Sequence, residues 1–259
     1  MLIEHHDEDD DDYIDLSGDE MSNDGDFTDE DSDFEDRITE QRSDVRWDVG
    51  QTIRIGFLGG HSTIHQRVKK YARIWERYAN IRFQFVSREP THVRISFFKG
   101  KGCHSEIGRN ALKVPSPRPT MNLGFSRHAS EEEIRTTVLH EFGHVLGCSH
   151  EHTSPNARIR WNESAVYTYY QKTAGWDKRK TFHNILKKAS PDSIATQFDP
   201  RSIMYYRIKP GFTRDGFSTH YNTTLSEIDK RFIAEQYPQP LRCNRCRHQI
   251  HKSSELHFC

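Results

Sequence analysis

The sequence has no long apolar run and no recognisable export signal. No stretch of its 259 residues approaches the roughly 18 consecutive apolar residues of a membrane-spanning helix. Residues 1–12 are mostly acids and histidines, and they lack the basic and apolar blocks of a secretory signal. With a mean hydropathy of -0.88, the composition predicts a soluble chain without a membrane partner, and we expect an intracellular location.

Cysteine is also scarce, with 5 residues in the whole chain. Because disulfides form and persist in oxidising compartments, the missing export signal favours free thiols at Cys103 and Cys148. A disulfide between these two cysteines is the alternative. The other three cysteines lie beyond residue 240, where we expect them to act together.

Charge is divided unevenly along the chain, although the net charge is only -1. Residues 1–44 contain 20 acidic and 2 basic residues, whereas residues 45–259 contain 18 acidic and 35 basic ones. The first segment has too few apolar side chains to offset the entropy of ordering, so we predict a disordered acidic tail. The basic residues of the rest are not interleaved with aromatic residues in one patch, so we expect no nucleic-acid partner.

From residue 45 onwards, the apolar residues follow the periods of secondary structure. Alternating apolar residues predict strands over 52–58, 81–85 and 93–97, because successive side chains of a strand point to opposite faces. Apolar residues three or four positions apart predict a helix from Ser62 to Ala79. This order of elements indicates an α+β fold with a mixed, twisted sheet and a crossover helix.

Further elements are predicted in the second half of the chain. A short strand is expected over 120–124, and a helix begins at Ser130, where Glu133 three residues later completes a capping-box pattern. Two later helices are predicted over 165–172 and 226–237.

The helix that begins at Ser130 contains the run His140-Glu141-Phe142-Gly143-His144. At about 100° per residue, two histidines four positions apart lie on one face of a helix. Both imidazoles can therefore bind the same metal ion.

Gly147 and His150 complete the pattern. A glycine can adopt positive φ, end the helix and turn the chain, which returns His150 to the ion held by His140 and His144. Three imidazole nitrogens and a water are the ligands of an open zinc site, so we predict bound Zn²⁺. Glu141 stands beside the first ligand, where a general base takes a proton from the bound water and passes it to a leaving amine. The predicted function is a zinc-dependent endopeptidase.

The segment His140–His150 resembles the zinc signature of the metzincin metalloproteases, and residues 202–206, Ser-Ile-Met-Tyr-Tyr, resemble their methionine turn. Glu151 after the third histidine, and a tyrosine two places after Met204, resemble the astacin branch in its microbial and fungal form without the animal disulfides. The likeness covers about residues 46–238, and we predict that residues 45–238 form an astacin-like metalloprotease domain.

The resemblance implies a zincin-like domain of two lobes, with the sheet and helices in the first, mostly irregular chain in the second, and a cleft between them. It implies that Met204 packs beneath the histidines, and that Tyr206 is a zinc ligand at rest and swings to donate a hydrogen bond to the oxyanion. It also implies that Met121–Gly124 is the edge strand that pairs with a peptide or protein substrate in extended conformation.

The segment 239–259 carries its own metal-binding pattern. Two residues separate Cys243 from Cys246, and Cys259 closes the chain shortly after His257. These residues resemble the opening half of a ZZ-type zinc finger and predict a second, structural zinc. A flexible basic tail is the alternative.

Two other hypotheses concern function. An inactive zinc-binding module that presents both tails to a protein partner is the alternative to a peptidase, and Glu141 and Tyr206 argue against it because such a module needs neither. The run Leu16-Ser17-Gly18-Asp19 resembles the aspartate motif of astacin propeptides, which suggests intramolecular inhibition by the acidic tail. A solubilising tail is the plainer interpretation.

Overall fold

The computed structural model describes residues 45–126, 128–189 and 193–240. The predicted acidic tail and the four predicted ligands of the C-terminal zinc lie outside these residues. The described elements are, in chain order, β1 Thr52–Phe57, α1 Ser62–Ala72, β2 Arg82–Val86, β3 Val93–Ser96, β4 Cys103–Ser105, β5 Met121–Leu123, α2 Glu131–Val145, α3 Glu163–Ala174, α4 Lys178–Thr181 and α5 Glu227–Gln236. Short 3₁₀ helices and a π-helix, Phe182–Leu186, lie between them. Within the described ranges, no helix is both long and apolar enough to cross a membrane.

Five strands form one mixed sheet in the order β2-β1-β3-β5-β4. The first four of these pair in parallel, and β4 runs antiparallel to β5. α1 connects β1 to its parallel neighbour β2, as a parallel pair requires. The mixed sheet with a crossover helix that the sequence predicts is therefore confirmed.

The expectation that Met121–Gly124 forms the edge of the sheet is wrong. β5 pairs with β3 on one side and with β4 on the other, so β5 is an inner strand and β4 is the outer one. Apolar periodicity does not reveal β4, because it has three residues, Cys-His-Ser. The side chain of Asn122 on β5 stabilises the chain before β4, since its Nδ2 donates to Phe98 O and Gly102 O at 3.0 and 2.7 Å.

α1 ends at Ala72, well before the predicted end at Ala79. The apolar positions continue beyond α1 through a 3₁₀ turn, Trp75–Arg77. Because a 3₁₀ helix has three residues per turn, apolar residues three positions apart also lie on one of its faces. Trp75 is buried, and its Nε1 donates to Leu139 O on α2 at 3.0 Å. Packing of this indole against α2 selects the tighter turn, which apolar spacing cannot distinguish from α-helix.

α2 is the central helix and is buried on nearly every side from Ile134 onwards. Its predicted capping box is confirmed, because Ser130 Oγ accepts from Glu133 N at 3.1 Å and the Glu133 carboxylate accepts from Ser130 N. Phe142 packs edge-on against Phe83 of β2, with ring centroids 5.0 Å apart. These contacts fix α2 across the sheet and thereby position the residues of the metal-binding pattern.

Two hydrophobic clusters correspond to the two expected lobes. The larger one joins the sheet, α1, α2 and α5, and the smaller one joins α3, the π-helix and the chain from Tyr205 onwards to Phe217. Met204 belongs to the first cluster, and its neighbour Tyr205 belongs to the second. The methionine turn therefore lies where the two clusters meet.

Candidate metal centre

Three histidine side chains point their Nε2 atoms at one another. The Nε2 atom of His150 lies 3.2 Å from Nε2 of His144 and 3.2 Å from Nε2 of His140. Among the described residues, these three form the group of side chains that could hold a metal ion. With Zn–N bonds of about 2.0–2.1 Å in a tetrahedral site, two ligand nitrogens are about 3.3 Å apart. The observed spacing fits zinc.

Gly147 makes the turn that brings His150 back to α2. Its φ is 92°, in the left-handed region that favours glycine. As the chain turns, Gly147 N donates to His144 O at 2.8 Å and Cys148 N donates to Gly143 O at 3.0 Å. These bonds satisfy carbonyls at the end of α2, so the helix ends as the sequence predicts.

Backbone carbonyls set the tautomers of the two helical histidines. Nδ1 of His140 lies 2.8 Å from Ile203 O, and Nδ1 of His144 lies 2.8 Å from Cys148 O. A carbonyl oxygen only accepts, so each Nδ1 carries the hydrogen and each Nε2 carries a lone pair. Metal-binding histidines in proteins are commonly held in this way.

Burial keeps the three imidazoles neutral. Desolvation lowers the pKa of His140 to about 3 and that of His144 to about 4. The pKa of His150 is also well below its usual value, first through burial and then through the neighbouring rings. Neutral imidazole is the form that binds metal. The Nε2 lone pairs of His140 and His144 both face His150, so the residues present fit a cation at their centre.

Glu141 lies between these ligands in α2 and is fully buried. Neither of its carboxylate oxygens has a hydrogen-bond partner among the described residues. Burial raises the pKa of Glu141 well above its usual value. A buried carboxylate without a partner is costly in an apolar core, and it fits a position beside a cation.

Met204 packs against α2 at the level of the histidines. A Cβ added to Gly143 would overlap Met204 Sδ, so the missing side chain lets the thioether reach the helix between His140 and His144. The turn is also bonded to the third ligand's segment, because Glu151 N donates to Met204 O at 2.9 Å. Gly143 was missed as a site residue, although a glycine inside a helix is itself a signal of close packing.

Asp229, in the first turn of α5, anchors the methionine turn. Its carboxylate accepts from Ser202 Oγ at 2.6 Å, Ile203 N at 2.8 Å and Ser226 N at 2.9 Å. Ile203 in turn provides the carbonyl that accepts from His140. Asp229 therefore supports the candidate ligand His140 through one intervening residue, Ile203. The helix-capping pattern in the sequence does not reveal this supporting role.

Tyr206 lies beside the histidines. Its ring centroid is 5.9 Å from that of His150 and 5.4 Å from that of His152. Its hydroxyl accepts from Tyr170 Oη on α3 at 3.0 Å. The sequence did not single out Tyr170, because the aromatic residues of α3 are equally typical of core packing. The neighbouring Tyr205 is buried in the second cluster, so Tyr206 is the tyrosine of this pair that faces the site.

The two described cysteines are free, as the sequence predicts. Cys103 is buried in β4. Burial raises the pKa of the Cys148 thiol to about 12, which disfavours the reactive thiolate, and the backbone carbonyl of Cys148 accepts from His144. The other predicted metal ligands lie outside the described residues: Cys243, Cys246, His257 and Cys259.

Comparison with known families agrees with this geometry. The family model for Astacin, a peptidase family, matches residues 39–235, which is most of the chain. The chain belongs to the astacin family. The astacin-like metzincin that the sequence predicts is therefore confirmed.

Individual relatives of this astacin chain carry the predicted enzyme class in their names. The zinc metalloproteinase dpy-31 of Caenorhabditis elegans is 26% identical over 239 residues, which cover 78% of this chain and 36% of that protein. The zinc metalloproteinase nas-39 of Caenorhabditis elegans is 29% identical over 185 residues, which cover 71% of this chain and 17% of that protein. The chain thus matches only about a third or less of the length of these curated relatives.

Solved structures confirm the fold. A structure of myroilysin is 40% identical, with a TM-score of 0.74, and the match covers 76% of this chain and 97% of that one. The hatching-enzyme zinc-protease HCE-1 of Oryzias latipes, at 20% identity and a TM-score of 0.54 over 75% of this astacin and 95% of that chain, shows the shared fold alone. The division of the chain into tail, peptidase domain and C-terminal segment stays a prediction.

Proposed function

We propose that this astacin is a zinc-dependent endopeptidase. The observation that carries the proposal is the convergence of the Nε2 atoms of His140, His144 and His150, on the helix and turn that also hold the unpartnered carboxylate of Glu141. Membership of the astacin family supports the same activity, since its relatives are named zinc metalloproteinases.

The three histidines would hold the zinc through Nε2. When bound, the ion polarises the substrate carbonyl and lowers the pKa of a water molecule at the site to about 7. The carbonyls of Ile203 and Cys148 hold the hydrogens of His140 and His144 on Nδ1, so these ligands lose no proton when the metal binds. The fold thereby supplies ligands already in the required tautomer and orientation.

Glu141 is assigned the role of general base. Its carboxylate takes a proton from the attacking water and delivers it to the nitrogen of the leaving amine, as the C–O bond forms and the C–N bond breaks. The two products are a carboxyl terminus and an amino terminus. Both carboxylate oxygens are available for this transfer, because neither is hydrogen-bonded to a described protein group.

Tyr206 is assigned the role of hydrogen-bond donor to the substrate oxygen. Its position beside His150 places a phenol next to the metal ligands. Negative charge develops on the carbonyl oxygen during attack, and removal of one such donor typically lowers kcat by about 10²–10³.

An extended peptide fits the outer strand β4. β4 is paired to β5 on one side and packs against α2, which carries the histidines. The backbone of an edge strand binds an extended chain by adding it to the sheet, which leaves sequence preference to side-chain pockets. We therefore assign substrate alignment to β4 instead of β5.

The decisive experiment compares the full chain with Glu141→Gln and Glu132→Gln. Glu132 is the matched control because it is exposed on the same helix and only faces Arg135. We expect equal zinc content in all three proteins and peptide hydrolysis reduced by about 100-fold or more in Glu141→Gln alone. Equal hydrolysis with Glu141→Gln would contradict the proposal, and a zinc-loaded parent that cleaves nothing would favour the inactive binding module.

The second, structural zinc stays a prediction. Replacing Cys243 and Cys246 by serine in the full chain should lower zinc content by one equivalent and leave peptide hydrolysis unchanged. Unchanged zinc content would instead favour the flexible basic tail.

Inhibition by the acidic tail also stays a prediction. If the Asp19 carboxylate occupies the site, Asp19→Asn should raise the activity of the full chain, more at low salt than at high salt because salt screens the attraction. Equal activity of Asp19→Asn and the parent at both salt concentrations would exclude this role.

A further inference from the structure

The hydroxyl of Tyr206 is bonded to a tyrosine from another part of the chain. Tyr170 Oη donates to Tyr206 Oη at 3.0 Å, across a sequence separation of 36 residues. Tyr170 lies on α3, in the smaller hydrophobic cluster, and Tyr206, the last residue of the methionine turn, packs against that cluster and lies beside His150. The bond thus connects the C-terminal lobe to the edge of the metal site.

Aromatic packing fixes the position of Tyr170. The residue is only 4% exposed, and its ring stacks on Trp176 with centroids 5.0 Å apart and planes 17° apart. Gly175, with φ of 65°, ends α3 and folds Trp176 back, so that both backbone amides donate to Tyr170 O. Phe212 lies against the same ring at 6.1 Å. A ring packed in this way keeps one rotamer, and its hydroxyl stays in one place.

Tyr206 is more exposed than its partner. It is half-buried, and its ring meets His150 and His152 at angles of 71° and 57° instead of stacking on them. A half-buried tyrosine has access to other rotamers, so a hydrogen bond from a fixed donor selects among them. Donation to the Tyr206 oxygen also polarises its own O–H, because hydrogen bonds in a chain strengthen one another.

We propose that Tyr170 is a positioning residue, whose hydroxyl holds Tyr206 at the edge of the metal site and orients the Tyr206 O–H towards the substrate carbonyl oxygen. In this role Tyr170 acts through Tyr206. The inference rests on the proposed function, in which Tyr206 donates to that oxygen.

A double-mutant cycle on the full, zinc-loaded chain tests this role. Tyr170→Phe removes the donor and keeps the packed ring, and Tyr206→Phe removes the acceptor. We expect Tyr170→Phe to lower kcat by about five- to tenfold with unchanged KM, as for the loss of one neutral hydrogen bond. In the Tyr206→Phe background, the same replacement should have no further effect.

A second readout measures binding instead of turnover. A phosphinic peptide has a tetrahedral phosphorus whose oxygens mimic the transition state of peptide hydrolysis. Calorimetry should show that Tyr170→Phe weakens its binding by the same factor as kcat. In Tyr206→Phe, adding Tyr170→Phe should leave the affinity unchanged.

Tyr169→Phe is the matched control, because it removes a hydroxyl from the adjacent residue of α3 and leaves the Tyr170–Tyr206 bond in place. Its kcat should equal that of the parent, and thermal unfolding midpoints should show that each variant is folded. An equal fall in kcat for Tyr170→Phe in both backgrounds overturns the proposal, because that result indicates structural support alone. The proposal is also overturned if Tyr170→Phe keeps the parental kcat while Tyr206→Phe is impaired.

Failure of the proposed function gives a different pattern. If Tyr206→Phe leaves kcat and phosphinate affinity at parental values, the donor role of Tyr206 is wrong and the role of Tyr170 is wrong with it. If the zinc-loaded parent hydrolyses no peptide, the endopeptidase assignment itself is refuted.

Discussion

Replacement of Asp229 should weaken both the fold and the metal site. Its buried carboxylate accepts three hydrogen bonds, from Ser202 Oγ, Ile203 N and Ser226 N, and Asp229→Ala removes all of them. A buried donor without an acceptor costs about 1–3 kcal/mol. Asp229 lines a cavity, so water can enter the space that its carboxylate leaves, and the lower end of the range applies to each donor. We expect the free energy of unfolding to fall by about 3 kcal/mol in Asp229→Ala.

Asp229→Asn provides the graded comparison. Asparagine keeps one carbonyl oxygen, which can accept from Ile203 N and Ser226 N as Oδ2 does in the parent. Ser202 Oγ then faces an amide NH₂ and becomes an acceptor from it. Asp229→Asn therefore keeps the hydrogen bonds and loses the negative charge of the carboxylate. We expect the free energy of unfolding to fall by about 1–2 kcal/mol.

Replacement of Asp229 should also weaken metal binding, because Asp229 supports His140 through Ile203. Ile203 N donates to Asp229, and Ile203 O accepts from Nδ1 of His140. Replacing outer-layer groups that orient metal ligands typically lowers metal affinity by about 10–100-fold. We expect a loss of about tenfold or more in zinc affinity for Asp229→Ala and a smaller loss for Asp229→Asn.

Urea unfolding of the zinc-free chain gives the stability, and competition with a chromophoric chelator gives the zinc affinity. Glu227→Ala is the control, because Glu227 is an exposed residue of the same helical turn whose carboxylate pairs with Lys230. It should leave both quantities unchanged. Equal stability of Asp229→Ala and Glu227→Ala, or an unchanged zinc affinity of Asp229→Ala, would refute the reasoning.

Three further predictions follow from the site. Gly143→Ala should lower the free energy of unfolding in urea, because overpacking against Met204 costs about 1–3 kcal/mol and exceeds the helix-propensity gain of about 1 kcal/mol. A variant more stable than the parent would contradict the close contact between Gly143 and Met204. Gly147→Ala should lower the free energy of unfolding by about 1–2 kcal/mol, because alanine is strained at φ of 92°; unchanged stability contradicts this strain. His140 and His144 should each make the zinc-free chain less stable as pH falls below 6.5, because the unfolded state takes up protons there while the buried imidazoles stay neutral until their pKa values of about 3 and about 4. Because the raised pKa of Glu141 acts in the opposite direction, the test compares the parent with His144→Gln, whose slope in unfolding titrations at pH 7, 6 and 5 should be smaller by up to about 1.4 kcal/mol per pH unit; equal slopes contradict the prediction.

The sequence was sufficient to predict the metal-binding cluster because its parts are local. One helical period places His140 and His144 on the same face, and one glycine turn returns His150 to them. The start of α2 was equally predictable, since the capping box at Ser130 involves residues three apart. Local geometry of this kind depends little on the rest of the fold.

Elements that depend on their neighbours were not predicted. β4 exists through its pairing with β5, and its three residues have no period of their own. The π-helix Phe182–Leu186 and the short α4 before it also have no distinctive apolar spacing. The position of the sheet edge was therefore wrong, because strand order is a property of pairing and is absent from any single strand.

Tertiary packing was required to identify the residues that support the site. Tyr170 with Tyr206, Gly143 with Met204, and Asp229 with Ile203 are pairs whose members lie far apart in the sequence and meet only in the folded domain. Helical and strand periods specify which face a side chain occupies, but they do not specify which distant face packs against it. The candidate ligands follow from one short segment, whereas their support follows from contacts that form only when the whole domain is packed.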